Sequence, residues 1–351
     1  MNKKQQRKIV VVRLSALVVF VGVAIASCNP SAKPSIEAQP STNCRKVQHL
    51  QGETQLCGQP ERIVVLESSV LESVLALGAQ PIGFADYTMY TMHRGNYDNP
   101  SEQIPYLGEF ITTQPANLGS TSEPSIEAIV SLQPDLILGT GNNANQYKTL
   151  SGLAPTLILS RNDDDNETRL RTIAQALDRS ERAEQVITER NQRVAKAREV
   201  FAPAVAAHPQ MLLLGAVQWN ELYLGDRNYG LCSSLLEELG FQLVIPPGMN
   251  NSVPDAPIPI SHETLSQLND ADSVIVFTGN MNEPSSQNNF EDHQTNHIKQ
   301  AWEEDAIAQS LEASKVGRVY FIPGYLCRGL PGPIGTELYL EELQEQLLSS
   351  N

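Results

Sequence analysis

The chain has 351 residues, 41% of them hydrophobic, and a formal net charge of −15 at pH 7. So acidic a surface repels nucleic acid and anionic lipid, which excludes nucleic acid as an expected partner. The length and the apolar content suffice to bury the core of one large domain, or of two domains of about 150 residues each.

The first 27 residues have the form of an export signal. Five basic residues and no acid precede an apolar run from Leu14 to Ile25, which is too short and wrongly flanked for a stable membrane span. The run ends in IASC, a lipobox in which Cys28 is the predicted lipid-bearing residue; the alternative is a plain signal with an incidental thiol. Cleavage before Cys28 leaves 324 residues with a net charge of −20. We therefore expect an exported protein that is lipid-anchored to the cell membrane and faces the periplasm or the cell exterior.

Four cysteines follow Cys28, an even number in an exported chain, so two disulfides are expected. Three pairings are possible. We favour Cys44 with Cys57, which closes a local loop, and Cys232 with Cys327, which joins distant segments. A zinc site is the alternative, although the paired C-x-x-C spacing of such sites is missing.

Residues 28–60 are predicted to form a tether and a disulfide loop, and residues 61–166 an N-terminal α/β lobe. Within the tether, residues 29–43 are rich in Pro, Ser and Ala without an apolar period, which is typical of a flexible linker. From Arg62 onward, apolar strand candidates alternate with helices, the first of which ends at Gly78. This alternation predicts a parallel sheet with helices on both faces.

A long helix and a second lobe are predicted to follow. The bridging helix is placed at 167–203, because the segment from Glu167 to Phe201 has helical periodicity, many helix formers and neither Gly nor Pro. The alternation resumes in a C-terminal α/β lobe, 204–351. A weak repeat relates SIEAIVSLQPDLILGTGN to SHETLSQLNDADSVIVFTGN. Two similar lobes would explain this repeat, and chance similarity among α/β units is the alternative.

The sequence contains no nucleophile elbow, Walker loop, H-E-x-x-H motif or dinucleotide-binding G-x-G-x-x-G motif. His293 and His297 lie beside Glu291 and Asp292 at a spacing that could place both rings on one ion. Their amide-rich neighbours instead favour a polar surface. The acidic run at 162–167 lacks the glycine and the closing glutamate of a calcium loop. We therefore predict no metal site and no cofactor.

Polar and aromatic residues gather where the predicted strands end. The carboxyl ends of strands in doubly wound sheets open onto the ligand crevice, so two facing lobes would form a cleft lined by these side chains. Each such residue alone is more often an ordinary loop residue, but their placement at corresponding ends of both lobes favours a cleft. The predicted ligand-binding residues are Ser68, Ser69, Tyr87, Arg94, Thr121, Trp219, Tyr229, Tyr325 and Arg328.

Five segments in order resemble the substrate-binding lipoproteins of ABC transporters for ferric siderophores and cobalamin. They are RIVVLESSVLESVLALGAQPIGFADY, LGSTSEPSIEAIVSLQPDLILG, the long central helix, SSLLEELGFQLV, and GRVYFIPG followed by RGLPGPIGTELYLEEL. The resemblance implies a class III periplasmic binding protein, or helical backbone metal receptor, with two Rossmann-like lobes bridged by a long helix. It also implies that iron arrives already chelated, is held between the lobes, and is delivered to a permease and its ATPase.

The resemblance further implies two acidic residues that dock on the permease. Glu72 matches the acid on the first helix of the N-terminal lobe. In the second lobe Ser234 stands where the partner acid is expected, so we assign Glu238, one helical turn further along. Ser69 and Glu72 also fit a capping box, which would explain that pair without any docking role.

We expect a monomeric binding protein that captures a ferric siderophore, and not an enzyme. Arg94 and Arg328 would pair with carboxylate or hydroxamate oxygens of the complex, and the aromatic residues would pack on flat apolar parts of the chelator. The alternatives are a metal-handling enzyme of chelatase type, a cobalamin- or haem-binding protein, and a sensor or adhesion lipoprotein. The sequence does not indicate which chelator is bound.

Overall fold

The computed structural model describes residues 44–86, 95–160, 166–227, 229–246, 258–280 and 290–348. Its strands are β1 (Cys44–His49), β2 (Gly52–Cys57), β3 (Ile63–Val65), β4 (Pro81–Asp86), β5 (Ala116–Ser120), β6 (Leu136–Thr140), β7 (Thr156–Leu159), β8 (Gln210–Gln218), β9 (Glu221–Gly225), β10 (Gln242–Leu243), β11 (Ile258–Ile260), β12 (Ser273–Thr278) and β13 (Val319–Pro323). Its helices are α1 (Ser68–Ala76), α2 (Pro100–Gln103), α3 (Ile126–Leu132), α4 (Tyr147–Ser151), α5 (Asn166–Leu177), α6 (Ser180–Ala207), α7 (Leu231–Leu239), α8 (His262–Leu265), α9 (Phe290–Glu304), α10 (Ala306–Ser310), α11 (Glu312–Lys315) and α12 (Pro333–Leu348). Short 3₁₀ segments span Gly108–Phe110 and Gly141–Gln146, and a π-helical turn spans Tyr325–Gly329.

The N-terminal lobe is built on a parallel sheet with the strand order β5-β4-β3-β6-β7. Its central strands are apolar on both faces because helices cover both faces. On one face the core includes side chains of α1 and α5, and on the other it includes Ile129 of α3 and Leu150 of α4. The predicted parallel sheet with helices on both faces is confirmed for this lobe.

The C-terminal lobe has a mixed sheet with the order β11-β9-β8-β12-β13, and β10 also pairs with β8. Strands β8, β10, β12 and β13 are parallel, whereas β9 and β11 run antiparallel to their neighbours. The parallel sheet that the alternation of strands and helices predicts is therefore extended here by an antiparallel hairpin. Only Trp219 and Asn220 separate β8 from β9, and so short a connection can join only antiparallel strands.

The predicted single bridging helix at 167–203 is two helices in the structure. The break falls at Asp178, which has a left-handed φ of 57°, a conformation that Asp tolerates better than most residues. The second helix, α6, continues through Pro203 to Ala207. It has 28 residues, about 42 Å in length, and packs against α5 on one side and against α7 and α12 on the other. Thus α6, and not α5, is the part of the predicted segment that reaches from one lobe to the other. Across the described parts of the chain, no helix combines the length and the apolarity that a membrane span requires.

Both favoured disulfides are confirmed. Cys44 and Cys57 close the open end of the β1–β2 hairpin, and Cys232 of α7 is bonded to Cys327 in the π-helical turn. The hairpin packs against the edge of the N-terminal lobe, where Arg45 Nε donates to the carbonyl oxygen of Gln175 at 2.6 Å, near the end of α5. The hairpin is therefore held by the lobe as well as by its own disulfide.

The last helix, α12, connects the two lobes a second time. Ile334 in its first turn belongs to the core of the N-terminal lobe, whereas Tyr339, Leu340 and Leu343 belong to the core of the C-terminal lobe. The lobes are thus joined by two helices, α6 and α12, and the segment that precedes α12 lies between them.

Candidate functional site

The carboxyl edges of the two sheets face each other. Tyr325, two residues beyond β13, stacks on Tyr106 of the N-terminal lobe with ring centroids 6.1 Å apart and an interplanar angle of 22°. Phe290 packs edge-on against both rings. In addition, the side-chain amide of Asn166 donates to the carbonyl oxygen of Pro331 at 2.7 Å. Tyr325 is 1% exposed, so its ring serves this contact between the lobes.

A buried carboxylate organises the edge of the N-terminal lobe. Glu67, two residues beyond β3, is 8% exposed and accepts hydrogen bonds from the hydroxyl of Thr140 and from the side-chain amide of Asn142 at 3.3 Å. The Ser69 hydroxyl lies 3.5 Å from the other carboxylate oxygen, and Ser68 is buried beside it in the first turn of α1. The two predicted serines therefore belong to a polar wall centred on Glu67.

The sequence reasoning missed Glu67, Thr140 and Asn142 as parts of this wall. A signal for them was available, because Thr140 ends β6 and Asn142 follows it, just as the predicted residues follow their strands. Tyr106 gave no such signal, since the segment around it has no hydrophobic periodicity.

Thr121 lies at the same edge, directly after β5, and is fully buried. Its backbone N–H donates to the carbonyl oxygen of Asp86 at 3.0 Å, and its own carbonyl accepts from the side-chain amide of Asn143 at 2.8 Å. Its hydroxyl has no hydrogen-bond partner among the described residues. Thr121 thus adds a buried hydroxyl to the N-terminal wall.

The edge of the C-terminal lobe carries an arginine over an aromatic ring. Arg328 is exposed, and its guanidinium carbon lies 4.6 Å from the ring centroid of Tyr229. This distance is typical of a cation–π contact. Burial raises the pKa of the Tyr229 phenol, and the nearby guanidinium partly offsets that rise. The structure therefore brings these two predicted residues together, with the ring buried and the charge exposed.

Trp219 is not part of that group. It follows β8, but it packs with the core on the opposite face of the sheet from Tyr229. Its indole N–H donates to a carboxylate oxygen of Asp305 at 3.3 Å, and its ring meets His262 edge-on at 4.9 Å. The predicted position at a strand end is correct, but the side chain is held within the lobe.

The docking role predicted for Glu72 is wrong, because this side chain is fully buried. Its carboxylate accepts hydrogen bonds from the backbone N–H groups of Gly332, at 2.8 Å, and Gly335, at 2.6 Å. Burial raises its pKa to about 7, while these two N–H groups and Arg169 act in the opposite direction. An acid that pairs with a partner protein must be accessible, and the segment leading into α12 covers this one.

The predicted capping box is also absent. The cap position of α1 is Glu67, so the helix begins two residues earlier than a box starting at Ser69 requires. Glu72 therefore lies at the fifth helical position and bonds across to the other lobe.

Glu238, the second predicted docking residue, is half-buried and paired. Its two carboxylate oxygens accept from the guanidinium of Arg190 in the bridging helix α6 at 2.6 and 2.8 Å. The pair lines a groove of about 460 Å³ between α5, α6, α7 and the start of α12. Any docking role for Glu238 therefore involves a carboxylate that already has a cationic partner.

Three predicted site residues lie outside the described residues: Tyr87, Arg94 and Cys28. His293 and His297 lie on α9, where His297 Nε2 contacts the carbonyl oxygen of Val217 at 3.0 Å. Within the described stretches, no three His, Cys, Asp or Glu side chains come together in a way that could hold a metal ion.

Comparison with known proteins agrees with this architecture. The family model for periplasmic binding proteins matches residues 63–326. The Fe(3+)-citrate-binding protein YfmC of Bacillus subtilis is 25% identical over 315 residues, which cover 88% of each chain.

Solved structures show the same fold. Staphylococcus aureus SirA, solved in complex with staphyloferrin B, gives a TM-score of 0.66 at 20% identity and covers 87% of this chain and 98% of its own. The petrobactin-binding protein YclQ of Bacillus subtilis also gives 0.66 at 20% identity, with 87% and 99% covered. The predicted fold class, two α/β lobes with a long bridging helix, is confirmed.

Proposed function

This chain belongs to the periplasmic binding protein family, and on that premise we propose that it captures a ferric siderophore between its lobes for an ABC importer. One observation carries the proposal: the carboxyl edges of the two sheets face each other, with Arg328 exposed over Tyr229 on one side and the Glu67 wall on the other. A guanidinium offers forked, permanently charged donors that suit the carboxylate or hydroxamate oxygens of a chelator. The relatives named for ferric citrate and staphyloferrin B support the same ligand class.

In this proposal the protein is a receptor and not an enzyme. The iron arrives chelated and leaves chelated, so the protein recognises the complex by its shape and charge and supplies no ligand to the metal. The importer's permease and ATPase are the partners, and lipid on Cys28 keeps the monomeric receptor near them. Glu238 stays our docking residue, with a permease arginine taking the place of Arg190.

Calorimetric titration tests the proposal. The mature chain with Cys28→Ser would be titrated with ferric citrate, ferric hydroxamate and ferric catecholate complexes, the metal-free chelators, bare Fe(III), haemin and cobalamin. Calorimetry suits the protein better than tryptophan fluorescence, because Trp219 is held against His262 inside one lobe. We expect submicromolar binding of one ferric complex and much weaker binding of its metal-free chelator. Binding of bare Fe(III) or haemin, with no response to the ferric citrate, hydroxamate or catecholate complexes, would contradict the receptor function.

A further inference from the structure

We propose that the Cys232–Cys327 disulfide and Tyr229 together form a clasp that positions Arg328 for ligand binding. The clasp consists of two short segments, residues 229–232 at the start of α7 and residues 325–328 in the π-helical turn after β13. The proposal rests on the proposed function, in which Arg328 binds an anionic ferric complex. It assigns the disulfide a role in recognition in addition to stability.

The first point of the clasp is covalent. Cys327 immediately precedes Arg328, and its partner, Cys232, lies 95 residues earlier in the chain, in the first turn of α7. Both cysteines are fully buried. The backbone N–H of Arg328 also donates to the carbonyl oxygen of Gly324 at 2.9 Å. The backbone that carries the guanidinium is therefore fixed one residue away from a covalent link to another helix.

The second point of the clasp holds the side chain. The ring of Tyr229, three residues before Cys232, lies 4.6 Å beneath the guanidinium carbon of Arg328. Tyr229 is itself 8% exposed and packs on Phe277 with ring centroids 5.8 Å apart. Its hydroxyl lies so close to Gly215 that a Cβ at that position would come within 2.3 Å of it. The ring thus has little room to move, and the guanidinium rests on a fixed surface.

Helix α7, which carries Cys232 and follows Tyr229 directly after Gly230, is well supported. Leu231, Leu235 and Leu236 of α7 are buried in the core of the C-terminal lobe. The hydroxyl of Tyr339 on α12 donates to the carbonyl oxygen of Cys232 at 3.2 Å. A long, exposed arginine side chain normally loses conformational freedom when it binds a ligand, and that loss opposes binding. Holding Arg328 in place before the ligand arrives reduces this loss.

The chain provides a matched control in its other disulfide. Cys44 and Cys57 are also linked, but they lie in the β1–β2 hairpin on the outer edge of the N-terminal lobe. None of the predicted ligand-binding residues lies in that hairpin. Loss of this bond should lower stability without changing how Arg328 is held.

The test measures affinity for ferric citrate by calorimetry in the Cys28→Ser chain. The variants are Arg328→Ala, the pair Cys232→Ala with Cys327→Ala, these three changes combined, and the control pair Cys44→Ala with Cys57→Ala. We expect Arg328→Ala to weaken binding more than tenfold, and the clasp pair to weaken it about tenfold through lost preorganisation. Because both act through the same guanidinium, the combined variant should bind no more weakly than Arg328→Ala alone. The control pair should bind like the parent.

Two outcomes would overturn the proposal. Parental affinity in a folded clasp variant would leave the disulfide with a stabilising role only. A combined loss equal to the product of the separate losses would show that the disulfide acts independently of Arg328. If the clasp pair does not fold, Tyr229→Leu removes the ring and keeps the disulfide, and the same non-additive loss is expected. Tyr229→Phe keeps the ring and loses only the interaction of the hydroxyl with Arg328, so it should weaken binding less than Tyr229→Leu does.

A ligand-free readout separates failure of the clasp from failure of the proposed function. If the parent binds no ferric citrate, amide hydrogen exchange of residues 324–329 and the rate of Arg328 modification by phenylglyoxal still report how firmly the arginine is held. Both rates should rise in the clasp pair and stay unchanged in the control pair. Unchanged rates in the clasp pair would overturn the proposal whatever the ligand is.

Discussion

Glu72 connects the two lobes through a single buried carboxylate. It lies on α1 of the N-terminal lobe and accepts two backbone hydrogen bonds, from Gly332 and Gly335, at the start of α12. A carboxylate at a helix N-terminus is stabilised by the unpaired N–H groups and by the helix dipole. Complete burial opposes this stabilisation and dominates, since the pKa of Glu72 is raised to about 7. This contact is therefore sensitive to pH near neutrality.

Glu72→Gln tests that sensitivity. The pKa of Glu72 is about 7 in the fold and 4.5 in an unperturbed glutamate, so between these values the folded state keeps a proton that the unfolded state has lost. The contribution of Glu72 to the free energy of unfolding is consequently largest below pH 4.5, falls as the pH rises to about 7, and is constant above that. The fall is roughly 3 kcal/mol for a shift of this size. Gln cannot titrate, so urea unfolding between pH 5 and 8 should show a smaller decrease in the variant.

The exposed Glu127 on α3 provides the control, and Glu127→Gln should keep the parental pH dependence. Gln at position 72 also places an amide N–H against one of the two backbone donors, which lowers stability by a similar amount at every pH. The diagnostic quantity is therefore the slope of the free energy of unfolding against pH. An unchanged slope in Glu72→Gln would mean that Glu72 titrates outside this range.

Gly332 is predicted to be intolerant of a side chain because of this same contact. A Cβ at Gly332 would lie 2.9 Å from one carboxylate oxygen of Glu72 and 3.1 Å from the other, and the buried carboxylate has little room to withdraw. Gly332→Ala should therefore lower the free energy of unfolding by about 1–3 kcal/mol, the usual cost of overpacking. Gly141→Ala is the matched control, since its Cβ would have no neighbour within 4 Å. If Gly332→Ala and Gly141→Ala are equally stable in urea, the close approach between Gly332 and the Glu72 carboxylate is contradicted.

At the scale of elements, the helix ends explain which segments the sequence could predict. Gly78 and Gly240 end α1 and α7 with positive φ values of 75° and 109°, as their positions in the sequence indicate. Ser125 caps α3 by accepting from the backbone N–H of Ala128. The break between α5 and α6 was not predictable, because Asp178 there carries no Gly or Pro signal and adopts the left-handed conformation within a run of helix formers.

Substitutions at Asp178 test this break. Since only glycine adopts left-handed φ without steric cost, Asp178→Gly should leave the free energy of unfolding unchanged or raise it slightly. Asp178→Val should lower it by about 1–2 kcal/mol, because a β-branched side chain clashes in this conformation. Thermal or urea unfolding measures both. Equal stabilities would indicate that α5 and α6 can merge into the single helix that the sequence predicts.

At the scale of the whole molecule, two helices join the lobes. Both α6 and α12 cross from one core to the other, and Glu72 and Tyr106 add contacts between them. Such a doubly connected pair has no single hinge, so we expect the lobes to move little when a ligand enters. Capture should then depend on side chains that are already in place.

The sequence predicted the positions of several candidate residues better than it predicted their contacts. Strand ends predicted Thr121, Tyr229 and Arg328 at the facing edges, because the carboxyl ends of parallel strands share an edge. The positions of the strand ends could not show that Trp219 packs on the face of its sheet opposite to Tyr229. Nor could they show that the segment before α12 covers Glu72. Both facts depend on contacts between segments more than 80 residues apart, which local pattern does not encode.

Lipid attachment at Cys28 is predicted to anchor the whole protein to the membrane. The full chain should partition into detergent after export and carry a diacylglycerol mass on its N-terminal peptide, whereas Cys28→Ser should be released in soluble form. Affinity for ferric complexes should be the same for both, since the tether precedes the folded lobes. If the parent chain is also released in soluble form and Cys28 carries a free thiol, the alternative of a signal peptide without lipid attachment is supported.

Hydrogen exchange of the protein with and without its tightest-binding ferric complex tests the central claim most directly. We predict slower exchange at both facing edges at once, in residues 66–72 and 140–146 of the N-terminal lobe and in residues 324–330 of the C-terminal lobe. The β1–β2 hairpin should exchange at the same rate in both samples. Protection confined to one lobe, or found only in the groove that Arg190 and Glu238 line between α5, α6, α7 and α12, would contradict capture at the facing edges.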